Sequence, residues 1–184
     1  MRVKPPAPHS SFREACTALL DKGDWYGLYR MAMQWRVAGG GMWTPDAWLM
    51  DICSALLHGQ PKTAVHCCDM ALTTWIDRPL DRRVLQYARG VLVRDQVGDP
   101  IRALDDLTAA TDGPEWLAEL AAGDLERGKE LAARSRVRAP RVGPSPDFTG
   151  EHRTEAAPPE QPMPADGAMP PLWNIALPHI RSTI

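Results

Sequence analysis

The stretch that decides the fold is Gly98-Asp-Pro-Ile-Arg-Ala-Leu-Asp-Asp-Leu-Thr-Ala-Ala, which occupies residues 98–110. Its turn-forming and small residues occur also 39 positions earlier, so that Gly59 pairs with Gly98, Pro61 with Pro100, Ala64 with Ala103, and Ala71 with Ala110. An aromatic pair, Trp48 and Tyr87, has the same offset. A repeat of this length predicts helical hairpins that bury their apolar faces only by stacking on one another.

Helix signals continue on both sides of this repeat. A proline follows a turn or capping residue at Thr44-Pro45 and Asp99-Pro100, and proline at the first helical position marks a helix start. No stretch alternates apolar and polar residues as a half-buried strand does. The sequence therefore predicts an all-α fold. We expect eight helices over residues 11–136, including a short seventh at 116–121 and an eighth that begins at Gly123-Asp124.

The chain resembles the tetratricopeptide repeat family, most clearly in Tyr87-Ala-Arg-Gly-Val and in residues 98–110. Relative to the family spacing, one extra residue lies between Gly90 and Gly98. The resemblance covers residues 11–136 and implies a stack of three to four antiparallel helix hairpins, an α-solenoid. It also implies that the first helix of each hairpin lines a groove for a peptide or a partner helix. The alternative arrangement is an irregular helical bundle.

Carried over position by position, the resemblance implies which residues face the groove. These positions, mostly apolar, are Asp46, Leu49, Cys53, Leu56, Leu85, Ala88 and Leu92. Such a surface suits a hydrophobic peptide or helix. Trp43 follows three glycines in a loop, and we predict that it is an exposed contact residue. The alternative is that many of these side chains belong to the core.

Composition divides the chain into four parts. We expect a flexible lead at residues 1–10, the helical repeat domain at 11–136, a Pro/Ala-rich disordered linker at 137–171, and an apolar docking segment at 172–184. The linker has few large apolar residues to offset the entropy of ordering. The final segment contains the apolar residues Leu172, Trp173, Ile175 and Leu177. We predict that it docks on its own chain, on another copy or on a partner.

The charge balance argues against polyanionic partners. The chain has 21 Lys+Arg and 23 Asp+Glu, a formal net charge of −2, so binding to nucleic acid or to a membrane surface is not expected. No apolar stretch follows the first residues, so we expect no secretory leader there and a cytoplasmic location. One basic cluster, Arg134, Arg136, Arg138 and Arg141, supports an alternative, namely a regulatory or nucleic-acid-associated helical protein.

Catalytic and metal-binding patterns are weak. Cys53, His58, His66, Cys67 and Cys68 lie close in sequence, but adjacent residues on a helix point about 100° apart and make poor joint ligands. We therefore expect no metal, no cofactor and no catalytic residue, and a small helical enzyme is a further alternative. The sequence predicts a non-catalytic adaptor or scaffold that binds a protein or peptide partner.

Overall fold

A computed structural model describes residues 8–74, 78–136 and 163–181, and within these ranges the chain forms helices and no strand. The predicted all-α fold is confirmed. Most of the predicted flexible lead and of the predicted linker, as well as Arg138 and Arg141, lie outside the described residues. No helix in the described ranges has both the length and the apolar character needed to cross a membrane.

Eight α-helices make up the described fold. They are α1 (His9–Asp21), α2 (Trp25–Ala38), α3 (Pro45–Leu57), α4 (Pro61–Thr74), α5 (Pro79–Leu92), α6 (Pro100–Ala110), α7 (Glu115–Arg136) and α8 (Trp173–Ile180). From α1 to α7, each helix packs against the next helix along the chain. This packing is consistent with the predicted helical stack, whereas membership of the tetratricopeptide repeat family stays a prediction.

Local sequence signals explain most helix ends. The Asp24 side chain accepts a hydrogen bond from the Gly27 amide at 2.8 Å and begins α2, and Asp99 does the same for α6 through Arg102. The repeated glycines Gly59 and Gly98 adopt φ angles of +69° and +78° between paired helices. A residue with a Cβ rarely adopts these angles, so glycine is needed at both turns.

The four alanines of the repeat, Ala64, Ala71, Ala103 and Ala110, are fully buried. Close approach of helices is equally evident at Gly90 in α5, where an added Cβ would lie 2.9 Å from Leu107 Cγ in α6. Small side chains at these positions let successive helices pack closely.

Ala103→Leu should destabilise the fold by about 1–3 kcal/mol, because the larger side chain has no space between the packed helices. Urea unfolding followed by circular dichroism measures this change. Ala122→Leu is the matched control, because Ala122 lies exposed on α7 and should tolerate the same substitution. Equal stability losses in both variants would contradict the proposed packing.

Local structure differs from the sequence prediction in three places, the first being that α1 begins at His9, inside the predicted flexible lead. The predicted seventh and eighth helices are one continuous helix, α7, and Gly123-Asp124 does not interrupt it. The Asp124 side chain bonds to other helices instead of capping a new one, so tertiary contacts override the local signal. In addition, α5 continues into a π-helical turn at Val93–Val97, which accommodates the extra residue before Gly98.

Candidate functional site

The C-terminal part of the chain packs on the helical stack. Residues 163–181, here called the docked segment, end in α8, which packs against α3 and α5. Trp173 also contacts Trp116 of α7. We call the surface of α3, α5 and α7 that contacts this segment the docking groove. These three are the first helices of successive hairpins, the same helices that the family resemblance places in the groove.

Trp173 is the central apolar contact of the docked segment. Its ring meets Tyr87 edge-to-face at a centroid distance of 5.7 Å and Trp116 at 5.4 Å. Only 2% of the residue is exposed, and Ala176 and Ile180 are completely buried. Ala176 and Ile180 lie three and seven positions after Trp173, so one face of α8 turns toward the stack. Aromatic pairs in this geometry contribute about 0.5–1.5 kcal/mol beyond their burial.

Asp46 holds the start of α8. Its Oδ1 accepts a hydrogen bond from the Leu172 amide at 3.0 Å, and its Oδ2 accepts one from Arg13 Nε at 2.6 Å. Burial raises the pKa of the Asp46 carboxyl above its ordinary value, while the Leu172 amide and Arg13 oppose that rise. Because Asp46 comes from α3 and Arg13 from α1, these two helices are linked to the docked segment.

Two reciprocal hydrogen bonds join the docked segment to the start of α5. Asp166 Oδ1 accepts from the Asp81 amide at 3.0 Å, and Asp81 Oδ1 accepts from the Gly167 amide at 3.1 Å. Two further donors reach segment carbonyls: Trp116 Nε1 bonds to Gly167 O at 3.1 Å, and Arg78 Nη2 bonds to Pro164 O at 2.9 Å. The segment is therefore held largely through its backbone on this side.

A buried ionic cluster lies near the end of α8. Asp124 Oδ2 accepts from the Tyr87 hydroxyl at 2.6 Å and from Arg181 Nη2 at 3.1 Å, while its Oδ1 lies 2.9 Å from Arg94 Nη2. Burial disfavours the charged carboxylate, but the Tyr87 hydroxyl and Arg94 outweigh it and hold the pKa of Asp124 below its ordinary value. Arg94 also pairs with Asp95 at 2.7 Å. The cluster therefore joins α5, α7 and the residue that follows α8.

The residues that the sequence predicts for the site lie mainly in the core. Asp46, Leu49, Cys53, Leu85, Ala88, Leu92, Leu172 and Trp173 are buried, whereas Trp43, Leu56, Ile175 and Leu177 are partly buried. Trp43 is therefore less exposed than the sequence predicts. Apart from Asp46, all the buried ones belong to one apolar cluster that includes α8. Asp46 bonds directly to the segment. The partner-binding role of these residues stays a prediction.

Sequence reasoning missed several residues that hold the docked segment. They are Asp81, Trp116, Asp124, Asp166, Gly167 and Arg181. One signal was available, since Asp166-Gly167 is a turn-forming dipeptide. A second was Arg78-Pro79, which begins α5 with no side-chain cap of its own and leaves amides for another group to bond. The structure also shows that Pro164, Asp166 and Gly167, which precede the predicted docking segment and fall within the predicted disordered linker, bond to the helices.

The surroundings of several cysteine and histidine side chains bear on metal binding and reactivity. Among the described residues, no group of three or more His, Cys, Asp or Glu side chains could hold a metal ion. Burial raises the pKa of the Cys16 and Cys53 thiols to about 12, so both are protonated and poorly nucleophilic near neutral pH. His58 lies against Trp25, with ring centroids 3.8 Å apart.

Comparison with protein-family models, curated proteins and solved structures finds no match to this chain.

Proposed function

We propose that the chain is a non-catalytic interaction protein, an adaptor or scaffold, whose stacked helices bind an apolar helical segment of a protein partner. The observation that carries this proposal is the position of α8. It lies on the first helices of the hairpins, where its Trp173 ring contacts Tyr87 and Trp116. A surface that accommodates one short amphipathic helix has the shape and chemistry to accommodate another.

The polar groups around the docking groove support binding. Asp46 and Asp81 accept hydrogen bonds from segment amides, and each also bonds to an arginine of the stack. Trp116 and Arg78 donate to segment carbonyls. These groups satisfy the backbone of an incoming segment, which is what a peptide-binding surface has to do when it excludes water.

Affinity capture with full-length baits tests this function. Trp173→Ala should weaken docking of the chain's own segment, so this bait should retain a partner protein at several-fold higher yield than the wild type does. Asn174→Ala is the matched control, because Asn174 is exposed on α8 and its loss leaves the segment docked. Quantitative mass spectrometry of the retained proteins provides the measurement. Identical protein sets at equal yields from all three baits would contradict the proposal.

A further inference from the structure

We propose that the docking groove selects its partner by a sequence signature that the docked segment itself displays. The signature begins with an Asp-Gly turn, and a Leu-Trp pair starts six residues after the aspartate. A small apolar residue lies three positions after the tryptophan and a branched apolar residue lies seven positions after it. A basic residue follows the branched one directly. In this chain these positions are Asp166, Gly167, Leu172, Trp173, Ala176, Ile180 and Arg181. The partner is a segment of another protein with this signature, and residues 163–181 are a tethered competitor for it. This inference rests on the proposed function.

The Asp-Gly position is specified by the start of α5. Because Arg78 provides no side-chain cap, the amides of Leu80 and Asp81 bond to Asp166, at 3.4 and 3.0 Å. The carboxylate also lies at the positive end of the helix. A ligand with this aspartate therefore completes the helix terminus, which a ligand without it leaves uncapped.

Gly167 is required for two independent reasons. Its φ of +79° is rarely adopted by residues with a side chain. An added Cβ would also lie 2.7 Å from Leu80 Cβ and 3.1 Å from Pro114 Cγ. No other amino acid fits there without moving α5, so glycine at this position distinguishes a ligand from a merely apolar peptide.

The tryptophan position is specified by the edges of two aromatic rings. Tyr87 and Trp116 come from different helices, and their ring planes lie at 62° and 66° to the plane of the Trp173 ring. The exposed position Asn174 lies on the other face of α8. This position should vary freely between ligands.

Charge complementarity explains the basic residue at the end of the signature. Asp124 is 2% exposed at its side chain, whereas the Arg181 side chain that pairs with it is 41% exposed. The buried acceptor, Asp124, thus belongs to the stack, and the donor, Arg181, reaches it from the exposed edge of the docking groove. A ligand with a basic residue after its last apolar contact can form the same pair.

The chain's own segment can exchange with a foreign one, because α8 is a helix of only eight residues. An isolated helix of the length of α8 is marginal in water, so an undocked segment should lose its helix. Residues 137–162 connect it to α7 and keep it near the groove at a high effective concentration. A foreign segment binds only to molecules whose groove is free of the chain's own segment. Its apparent affinity is therefore the intrinsic affinity multiplied by the fraction of molecules with a free groove.

A fluorescently labelled peptide of residues 163–181 tests the signature against full-length protein. We expect Trp173→Ala protein to bind this peptide about tenfold or more tightly than wild-type protein, because its own segment competes less. A peptide with Gly167→Ala should bind about tenfold or more weakly than the parent peptide, while a peptide with Asn174→Ala should bind equally well. Fluorescence polarisation gives the dissociation constants.

Three results would overturn the inference. The first is equal binding of the peptides with glycine and with alanine at position 167. The second is a parent peptide that binds neither wild-type nor Trp173→Ala protein. The third is a concentration-dependent dimer of wild-type protein that Trp173→Ala abolishes, since a second copy is then the occupant. If the peptide fails while the Trp173→Ala bait still retains more partner than the wild-type bait, the signature is wrong and the proposed function stands.

A second design covers a Trp173→Ala protein that does not fold. A specific protease site is placed within residues 137–162 of the otherwise unchanged full chain and is cut after folding. The labelled peptide should then replace the cut segment during dialysis, as followed by native mass spectrometry. If the cut segment stays bound in the presence of excess peptide, residues 163–181 are a permanent part of the core. That result would overturn the inference.

Discussion

Trp173→Ala should detach residues 163–181 from the helical stack and lower the stability of the docked state by about 3–5 kcal/mol. The substitution removes the ring that lies between Tyr87 and Trp116 and leaves an apolar cavity in its place. Since α8 is a short helix packed on the surface of α3 and α5, we expect the segment to open without global unfolding. Hydrogen exchange measured by mass spectrometry should show loss of protection over residues 163–181, with protection retained in α3 and α4.

The control for this prediction is Asn174→Ala, which alters the exposed face of the same helix. Its exchange pattern should match that of the wild type, and its stability should change by less than about 0.5 kcal/mol. Two results would contradict the assignment of the docked segment as a separable unit. One is unchanged protection in Trp173→Ala, and the other is uniform loss of protection across all helices.

Asp124→Asn should lower the free energy of unfolding by about 2–3 kcal/mol at neutral pH. The variant keeps an oxygen that can accept from the Tyr87 hydroxyl, but it removes the negative charge between Arg94 and Arg181. Arg94 retains its pair with Asp95, which limits the loss. Urea unfolding followed by circular dichroism measures the difference between the two proteins.

The same variant has a defined pH dependence. The folded-state pKa of Asp124 is below its unfolded value of 3.8, so its contribution is present above that pH and is lost as the pH falls through the folded pKa. The stability gap between wild type and Asp124→Asn should therefore be widest at about pH 7 and should shrink below about pH 4. Asp105→Asn, at an exposed position on α6, provides the control and should show no comparable gap. A gap for Asp124→Asn that stays constant down to about pH 2 would contradict the assigned charge interactions.

The helical stack was largely predictable because its signals are local. Thr44-Pro45 and Asp99-Pro100 begin α3 and α6, and the turn glycines Gly59 and Gly98 have the left-handed backbone that their repetition suggests. Capping and turn formation involve residues a few positions apart, so a sequence pattern is enough to recognise them. Burial of the repeated alanines follows from the same periodicity.

The site was predictable only in part. The apolar residues around Trp173 indicated a docking segment, because an apolar cluster after a polar stretch is unfavourable in water. Whether it docks on its own chain depends on the shape of a surface assembled from α3, α5 and α7. The Tyr87 and Trp116 rings that receive it are far apart in sequence and meet only after those helices pack.

By itself, the sequence determined the class of fold, the positions of most helix ends and the presence of an apolar segment near the C-terminus. Only the tertiary structure decided that α7 continues through Gly123-Asp124 and that Asp166 caps α5. It also decided that residues 163–181 lie in the groove of their own chain. The features that the sequence determined depend on interactions between residues a few positions apart. The features that only the tertiary structure decided depend on interactions between groups as many as 126 positions apart, as for Leu172 and Asp46, so they require the packed helices to bring them together.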